Sequence, residues 1–170
     1  LNLNELVQQV NGEFAERFEG RNLDLICILQ PEPLLIRADS RRIWRVLENL
    51  YVNVCKYAMP GTRVYVDAIK KDGKIQLSIK NISENPLNFQ ADELTERFIR
   101  GDVSRSTEGS GLGLSIAKNL TVLQHGSFNI YLDGDLFKVT ITFDEAVKEK
   151  KPMPPMIVPE AVQEEAQQDA

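Results

Sequence analysis

The chain has 170 residues, of which 42% are hydrophobic and 26% charged, and its net charge is −5. That length suits one ordinary domain with its own core, and the acidic balance disfavours generic binding to nucleic acid or anionic membrane. No apolar run reaches the ~18 residues that a bilayer-spanning helix needs, and no signal peptide is visible. Cys27 and Cys55 show neither metal-ligand spacing nor a disulfide framework, so a reducing, cytoplasmic setting is expected. The chain begins at Leu1 and is read as a fragment, whose lack of a membrane segment says nothing about its parent.

Leu3, Leu6, Val7, Val10, Phe14 and Phe18 recur at helical spacing, predicting a helix from about Asn4 to Phe18 closed by Gly20. Asn2 and Glu5 have the spacing of a capping box at its start. Leu23 to Leu29 reads as a strand, with Leu34 to Ala38 as its neighbour beyond Pro31 and Pro33. Asp39 or Ser40 caps a long helix to Tyr57 with a core stripe of Ile43, Leu47, Leu50, Val54 and Ala58, ended by Met59, Pro60 and Gly61. Val64 to Lys70 and Ile75 to Lys80 form a hairpin around Asp72-Gly73. After a polar loop, a short helix is expected from Asp92 to Ile99, then a mobile loop from Arg100 to Gly111. A helix from Leu112 to Gln124 ends at a Gly126 cap. Phe128 to Leu132 and Phe137 to Phe143 form a second hairpin around Asp133-Gly134. Residues 145–170 hold four of the eight prolines, many Glu and Gln and no periodicity, so they read as a disordered tail after a domain of residues 1–144. The fold class is α+β: a two-layer sandwich with a mixed, mostly antiparallel sheet of about five strands packed on three helices.

The long helix carries Asn49, Asn53 and Lys56 at i, i+4 and i+7, one row bordering the apolar stripe. An amide oxygen in such a row suits a hard cation such as Mg²⁺, which takes few protein ligands and otherwise holds water and substrate phosphates. A lysine one turn on suits a phosphate oxygen. Alone, this row is better explained by a solvated face. The run Gly109-Ser110-Gly111-Leu112-Gly113-Leu114 leads into a helix, where free N–H groups and the macrodipole favour an anion. It is neither a Walker loop, lacking Gly-Lys-Ser/Thr, nor a dinucleotide fingerprint, lacking a strand directly before it. Alone it reads equally as a hinge.

Taken together, three segments carry more. Glu48 to Tyr57, Glu96-Arg97-Phe98-Ile99-Arg100-Gly101-Asp102, and Gly109 to Lys118 follow in order. They resemble the asparagine box, phenylalanine box and second glycine box of the catalytic domain of bacterial two-component sensor histidine kinases, over roughly residues 1–143. The resemblance implies a Bergerat-type sandwich that holds ATP between the long helix and a flexible lid. By motif, Asn53 resembles the Mg²⁺ ligand, Asn49 its support, Lys56 the phosphate contact and Tyr57 a side chain packed on the nucleotide. Phe98 resembles the lid anchor, and Arg100 stands where a basic residue approaches the γ-phosphate, assisted by Arg105. Gly109, Gly111 and Gly113, with Leu112 and Leu114, shape the lid's return to the helix. Asn53, Lys56 and Arg100 are the candidate catalytic residues.

One motif departs from this pattern. The family's first glycine box, Asp-x-Gly-x-Gly, is replaced by Asn81-Ile82-Ser83-Glu84-Asn85. Asn81 can still accept a hydrogen bond from the adenine amino group, but without charge assistance, at an expected deficit of about 1 kcal/mol or roughly five- to tenfold in affinity. His125, the sole histidine, reads as a capping residue at a helix end. Trp44 reads as a packing residue and Cys55 as a small buried side chain.

The resemblance implies transfer of the ATP γ-phosphoryl group to a histidine on the kinase's own dimerisation domain, absent here, for relay to a response regulator. It also implies a homodimeric, integral-membrane parent and a monomeric fragment. The rival readings are a nucleotide-binding pseudokinase or partner-binding module with a degenerate first glycine box, and another ATPase of the same fold.

Overall fold

The computed structural model describes residues 1–87, 112–147 and 153–155. Helix α1 spans Leu3–Gly20, strand β1 Asp24–Leu29, helix α2 Ser40–Tyr57, and strands β2 and β3 Arg63–Lys71 and Lys74–Ile82. Helix α3 follows at Gly113–Leu123, with strands β4 and β5 at Ser127–Asp133 and Leu136–Asp144. The expected helix over 92–99, the loop over 100–111 and most of the expected tail lie outside the described residues.

The five strands form one sheet in the order β1-β2-β3-β5-β4. Only β1 and β2 run parallel, and the other neighbours are antiparallel. Period-2 alternation sends Val64, Val66 and Ala68, then Ile75, Leu77 and Ile79, then Phe137, Val139, Ile141 and Phe143 to one buried face. The apolar stripes of the three helices share that core: Leu3, Val7 and Val10 of α1, Ile43, Leu47 and Leu50 of α2, Leu114 and Ala117 of α3. Asp72 and Gly73 take φ of 53° and 72°, which a two-residue hairpin with a type I′ turn requires at both central positions.

The helix starts follow the expected chemistry. Asn2 accepts from Asn4 N at 3.2 Å, an ordinary N-cap bond to the second helical residue, and the reciprocal bonds of a capping box with Glu5 do not form among the described residues. Asp39 caps α2 by accepting from Arg41 N and Arg42 N at 2.8 and 3.1 Å.

The helix ends do not follow it. Gly20 is the last residue of α1, and the left-handed position beyond is Asn22, with φ 53°. Asn22 N bonds to Glu19 O and Leu23 N to Phe18 O, the two bonds of a Schellman motif. At the end of α3 the left-handed residue is His125, φ 66°, not Gly126. His125 N bonds to Val122 O and Gly126 N to Thr121 O, the same motif. Gly126 answers to space instead, since a Cβ there would lie 2.6 Å from the Phe143 ring and 2.9 Å from Thr121 Cγ2. His125 is exposed at that helix end, as expected.

Leu34–Ala38 is not the neighbour of β1. Pro31 and Pro33 lie between β1 and this stretch and fix the backbone there, and the edge of β1 away from β2 has no partner strand among the described residues. The stretch makes isolated bridges, Leu35 with Asn2 and Ile36 with Glu145. Glu145 N and Ala146 N bond to Gly73 O and Leu35 O, so the chain stays attached to the body through Ala146, two residues into the expected tail.

Candidate functional site

Three elements converge beside the C-terminal half of α2. Tyr51 sets the rotation of this helix. It is fully buried, stacks on Phe18 at 5.6 Å, meets the edge of Phe14 at 5.4 Å, and donates to Asn11 Oδ1. Burial pushes its phenol above the usual tyrosine range. With Tyr51 fixed toward α1, Asn49 and Asn53 remain half-buried at the border of the core while Lys56 and Tyr57 are exposed.

Asn49 donates through Nδ2 to Arg45 O at 2.8 Å, which orients its amide along the helix. Gly113 lies against it, and a Cβ on Gly113 would fall 3.6 Å from Asn49 Oδ1. The start of α3 is therefore packed on the asparagine row, pulled there by Leu114 and Ala117, both buried. Among the described residues that start has no side-chain cap: Leu112 precedes it, no acid stands in the first turn, and Ser115 Oγ donates back to Leu112 O at 2.9 Å. Uncapped helical N–H groups are the ones an anion satisfies.

The end of β3 supplies the third side. Met59 N bonds to Ile82 O and Glu84 N to Tyr57 O, both at 2.8 Å, while Ala58 bridges Ser83, so the last turn of α2 and the end of β3 lie side by side. Asn81 continues the inward series Ile75, Leu77, Ile79 and faces Phe137 across the sheet. It is 3% exposed, and its Oδ1 has no hydrogen-bond partner among the described residues. An unsatisfied buried acceptor costs ~1–3 kcal/mol, so this position suits a ligand that brings a donor.

Glycine-like freedom is not needed in the segment that follows. Ser83 N bonds to Asp135 O and Ser83 Oγ to Asn85 O, each at 2.7 Å. Arg21, which the sequence reading missed, holds the junction. Its Nε donates to Cys55 O at 2.8 Å and its Nη2 to Ala58 O at 3.2 Å, with Glu84 at 3.6 Å. Nothing local marks Arg21, because its partners are backbone carbonyls more than thirty residues away. Tyr51 and Asn11 were missed for the same reason.

The structure thus brings Asn49, Asn53, Lys56, Tyr57, Asn81, Leu112, Gly113 and Leu114 to one region. Phe98, Arg100, Arg105, Gly109 and Gly111 lie outside the described residues. Among the described residues no cluster of three or more His, Cys, Asp or Glu side chains is poised to hold a metal. The Asn53 amide oxygen fits Mg²⁺ as a single hard ligand, the role of a site in which phosphates and water complete the shell. Among the described residues no helix is long and apolar enough to cross a membrane.

The family model of histidine kinase-, DNA gyrase B- and HSP90-like ATPases matches residues 38–147. The chain is 31% identical over 123 residues to the signal transduction histidine-protein kinase BaeS of Escherichia coli K12, covering 71% of this chain and 26% of BaeS. Its fold is similar to the nucleotide-free catalytic domain of histidine kinase ThkA, at TM-score 0.73 and 25% identity, covering 85% of this chain and 93% of that one. ThkA in complex with the response regulator protein TrrA is also similar, at TM-score 0.68 and 24% identity, covering 88% of this chain and 42% of that one.

Proposed function

Since the chain belongs to the family of histidine kinase-, DNA gyrase B- and HSP90-like ATPases and is an ATP-binding catalytic domain of the histidine kinase kind, we propose that it transfers the ATP γ-phosphoryl group to a histidine on a separate dimerisation domain, for relay to a response regulator. The observation that carries this reading is the uncapped start of α3 lying on Asn49. It joins an anion-binding helix end to a row of amide and ammonium groups. In this reading Asn53 holds Mg²⁺ with Asn49 behind it, Lys56 meets a phosphate oxygen, Tyr57 packs on the nucleotide, and Asn81 accepts from the base. Bound Mg²⁺ would neutralise phosphate charge. Arg100 and Arg105 are assigned to the γ-phosphate and Phe98 to the lid on motif alone. Phosphoryl transfer depends on positioning and electrostatics, and the acceptor imidazole is its own nucleophile, so this domain need supply no base. The chain spans 26% of BaeS, and we assign the acceptor histidine, the dimer contact and the membrane anchor to the remainder of a parent sensor. A response regulator partner is supported by the ThkA–TrrA complex.

Calorimetric titration with Mg-ATP tests the site. Asn53→Ala should weaken binding by ~1–3 kcal/mol, and equal affinity of both proteins with and without Mg²⁺ would sink the assignment. Adding the cognate dimerisation domain with labelled ATP tests the reaction. ATP binding without label on that domain would favour a nucleotide-binding pseudokinase, a reading that the substituted first glycine box supports.

A further inference from the structure

We infer that the base-recognition end of this site accepts 6-oxopurine as well as 6-aminopurine nucleotides, with Asn81 as the specificity-determining residue. The inference rests on the nucleotide-site reading above.

Asn81 is nearly sealed, at 3% exposure, on the inner face of β3 beside the last turn of α2. Its Oδ1 has no hydrogen-bond partner among the described residues. Among them, therefore, no bond to the oxygen end fixes which way the amide faces. Among the described residues, the neighbouring acid Glu84 is turned to Arg21.

The chemistry of the amide does the rest. A carboxylate only accepts hydrogen bonds, whereas a carboxamide carries an acceptor and two donors side by side. A 6-aminopurine presents an exocyclic N–H donor next to the N1 acceptor. A 6-oxopurine presents the reverse, an O6 acceptor next to an N1–H donor. An amide meets the first pattern in one orientation and the second after a half-turn about its last torsion. A carboxylate would satisfy the amino group and repel O6. The residue that weakens charge-assisted recognition of adenine is thus the one that admits the oxo base.

The experiment measures dissociation constants of the 170-residue chain for Mg-ATP and Mg-ITP by calorimetric titration. Inosine nucleotide carries the 6-oxo edge without the 2-amino group of guanine, so it isolates the contact in question. ITP should bind within about tenfold of ATP, the difference of roughly one neutral hydrogen bond. Asn81→Asp should widen the preference for ATP by at least about tenfold further. ATP binding with ITP more than about a hundredfold weaker would overturn the inference while leaving the nucleotide-site reading intact. An unchanged ratio in Asn81→Asp would also overturn it. Failure of both nucleotides to bind would remove the nucleotide-site reading itself. Should Asn81→Asp lose its cooperative unfolding transition, the wild-type chain is titrated with purine riboside triphosphate, which has no 6-substituent. Binding weaker than that of both ATP and ITP supports the amide contact, and binding equal to that of ATP refutes it.

Discussion

Replacing Arg21 with Ala should destabilise the domain by about 2 kcal/mol, and the magnitude follows from where the last carbonyls of α2 find partners. Ala58 N bonds to Val54 O within the helix, but Met59 N, the next donor in line, is committed to Ile82 O. That leaves Cys55 O without its helical partner, and Arg21 Nε supplies one at 2.8 Å while Nη2 serves Ala58 O at 3.2 Å. Cys55 and Ala58 are 6% and 0% exposed, so unaided access of water to these carbonyls is poor. Each charge-assisted bond is worth ~1.5–3 kcal/mol, but the Arg21 side chain is 37% exposed, and its removal admits water that recovers part of the loss. A chain of this length should then lose about 4–8 °C in Tm. Glu84→Gln is the control. Its ion pair is long at 3.6 Å and exposed at both ends, so it should cost less than about 0.5 kcal/mol. Urea denaturation reads the stabilities, and hydrogen exchange at residues 55–58 locates the change. Because Lys56 and Tyr57 sit on this last turn, Mg-ATP affinity should fall about three- to tenfold in Arg21→Ala. An Arg21→Ala protein within about 0.3 kcal/mol of wild type with unchanged protection would refute the reasoning. Equal losses in both variants would move the cause to the ion pair.

His125 occupies a left-handed position, φ 66°, so His125→Gly should stabilise by about 0.5–1 kcal/mol, the strain relieved less the added chain entropy of glycine. Gly126→Ala should cost ~1–3 kcal/mol, because its Cβ would press into Phe143 and Thr121; thermal unfolding of both variants checks the pair. Tyr51 should set an alkaline limit. Burial raises its native pKa above that of the unfolded chain, so its contribution is full below about pH 10 and is lost as the pH rises beyond it. Urea midpoints from about pH 9 to 11 should fall less steeply in Tyr51→Phe than in wild type.

Much of this fold was legible because long, regular patterns report burial. The α2 stripe, the two hairpins and the sheet composition follow from periods of 3.6 and 2. So does the site's polar row, since Asn49, Asn53 and Lys56 border the α2 stripe at fixed spacing. Local rules misled where tertiary packing decides. Gly20 and Gly126 look like helix stops, yet Asn22 and His125 adopt the left-handed turns, while Gly126 is small because Phe143 leaves no room. Leu34–Ala38 has strand composition, yet beyond Pro31 and Pro33 it forms isolated bridges to Asn2 and Glu145. Arg21 and Asn11 carried no sequence signal, because each acts on an element distant along the chain. Asn81 did carry one. The alternation Ile75, Leu77, Ile79 runs on to Asn81, which places an amide where an apolar side chain would continue the core.

That interruption makes Asn81 the place where stability and binding should oppose each other. An amide at 3% exposure whose Oδ1 is unpaired among the described residues destabilises the ligand-free domain, by ~1–3 kcal/mol for a group of this kind. Leucine has the same branched shape and heavy-atom count, and it would extend the row of Ile75, Leu77 and Ile79 against Phe137. Asn81→Leu should therefore raise the stability of the free domain by about 1–2 kcal/mol, seen as a higher urea midpoint. It should also shrink the nucleotide's thermal shift, because the site loses its acceptor for the base and Mg-ATP binds ~1–3 kcal/mol more weakly. In the wild type, saturating Mg-ATP should add RT ln(1 + [L]/Kd), about 2.7 kcal/mol at a hundredfold excess over Kd. A variant less stable than wild type would mean that the buried amide already has a partner in solution. A more stable variant that kept the full nucleotide shift would mean that the base is recognised elsewhere. A more stable protein with a reduced nucleotide shift agrees with a buried acceptor kept for its ligand.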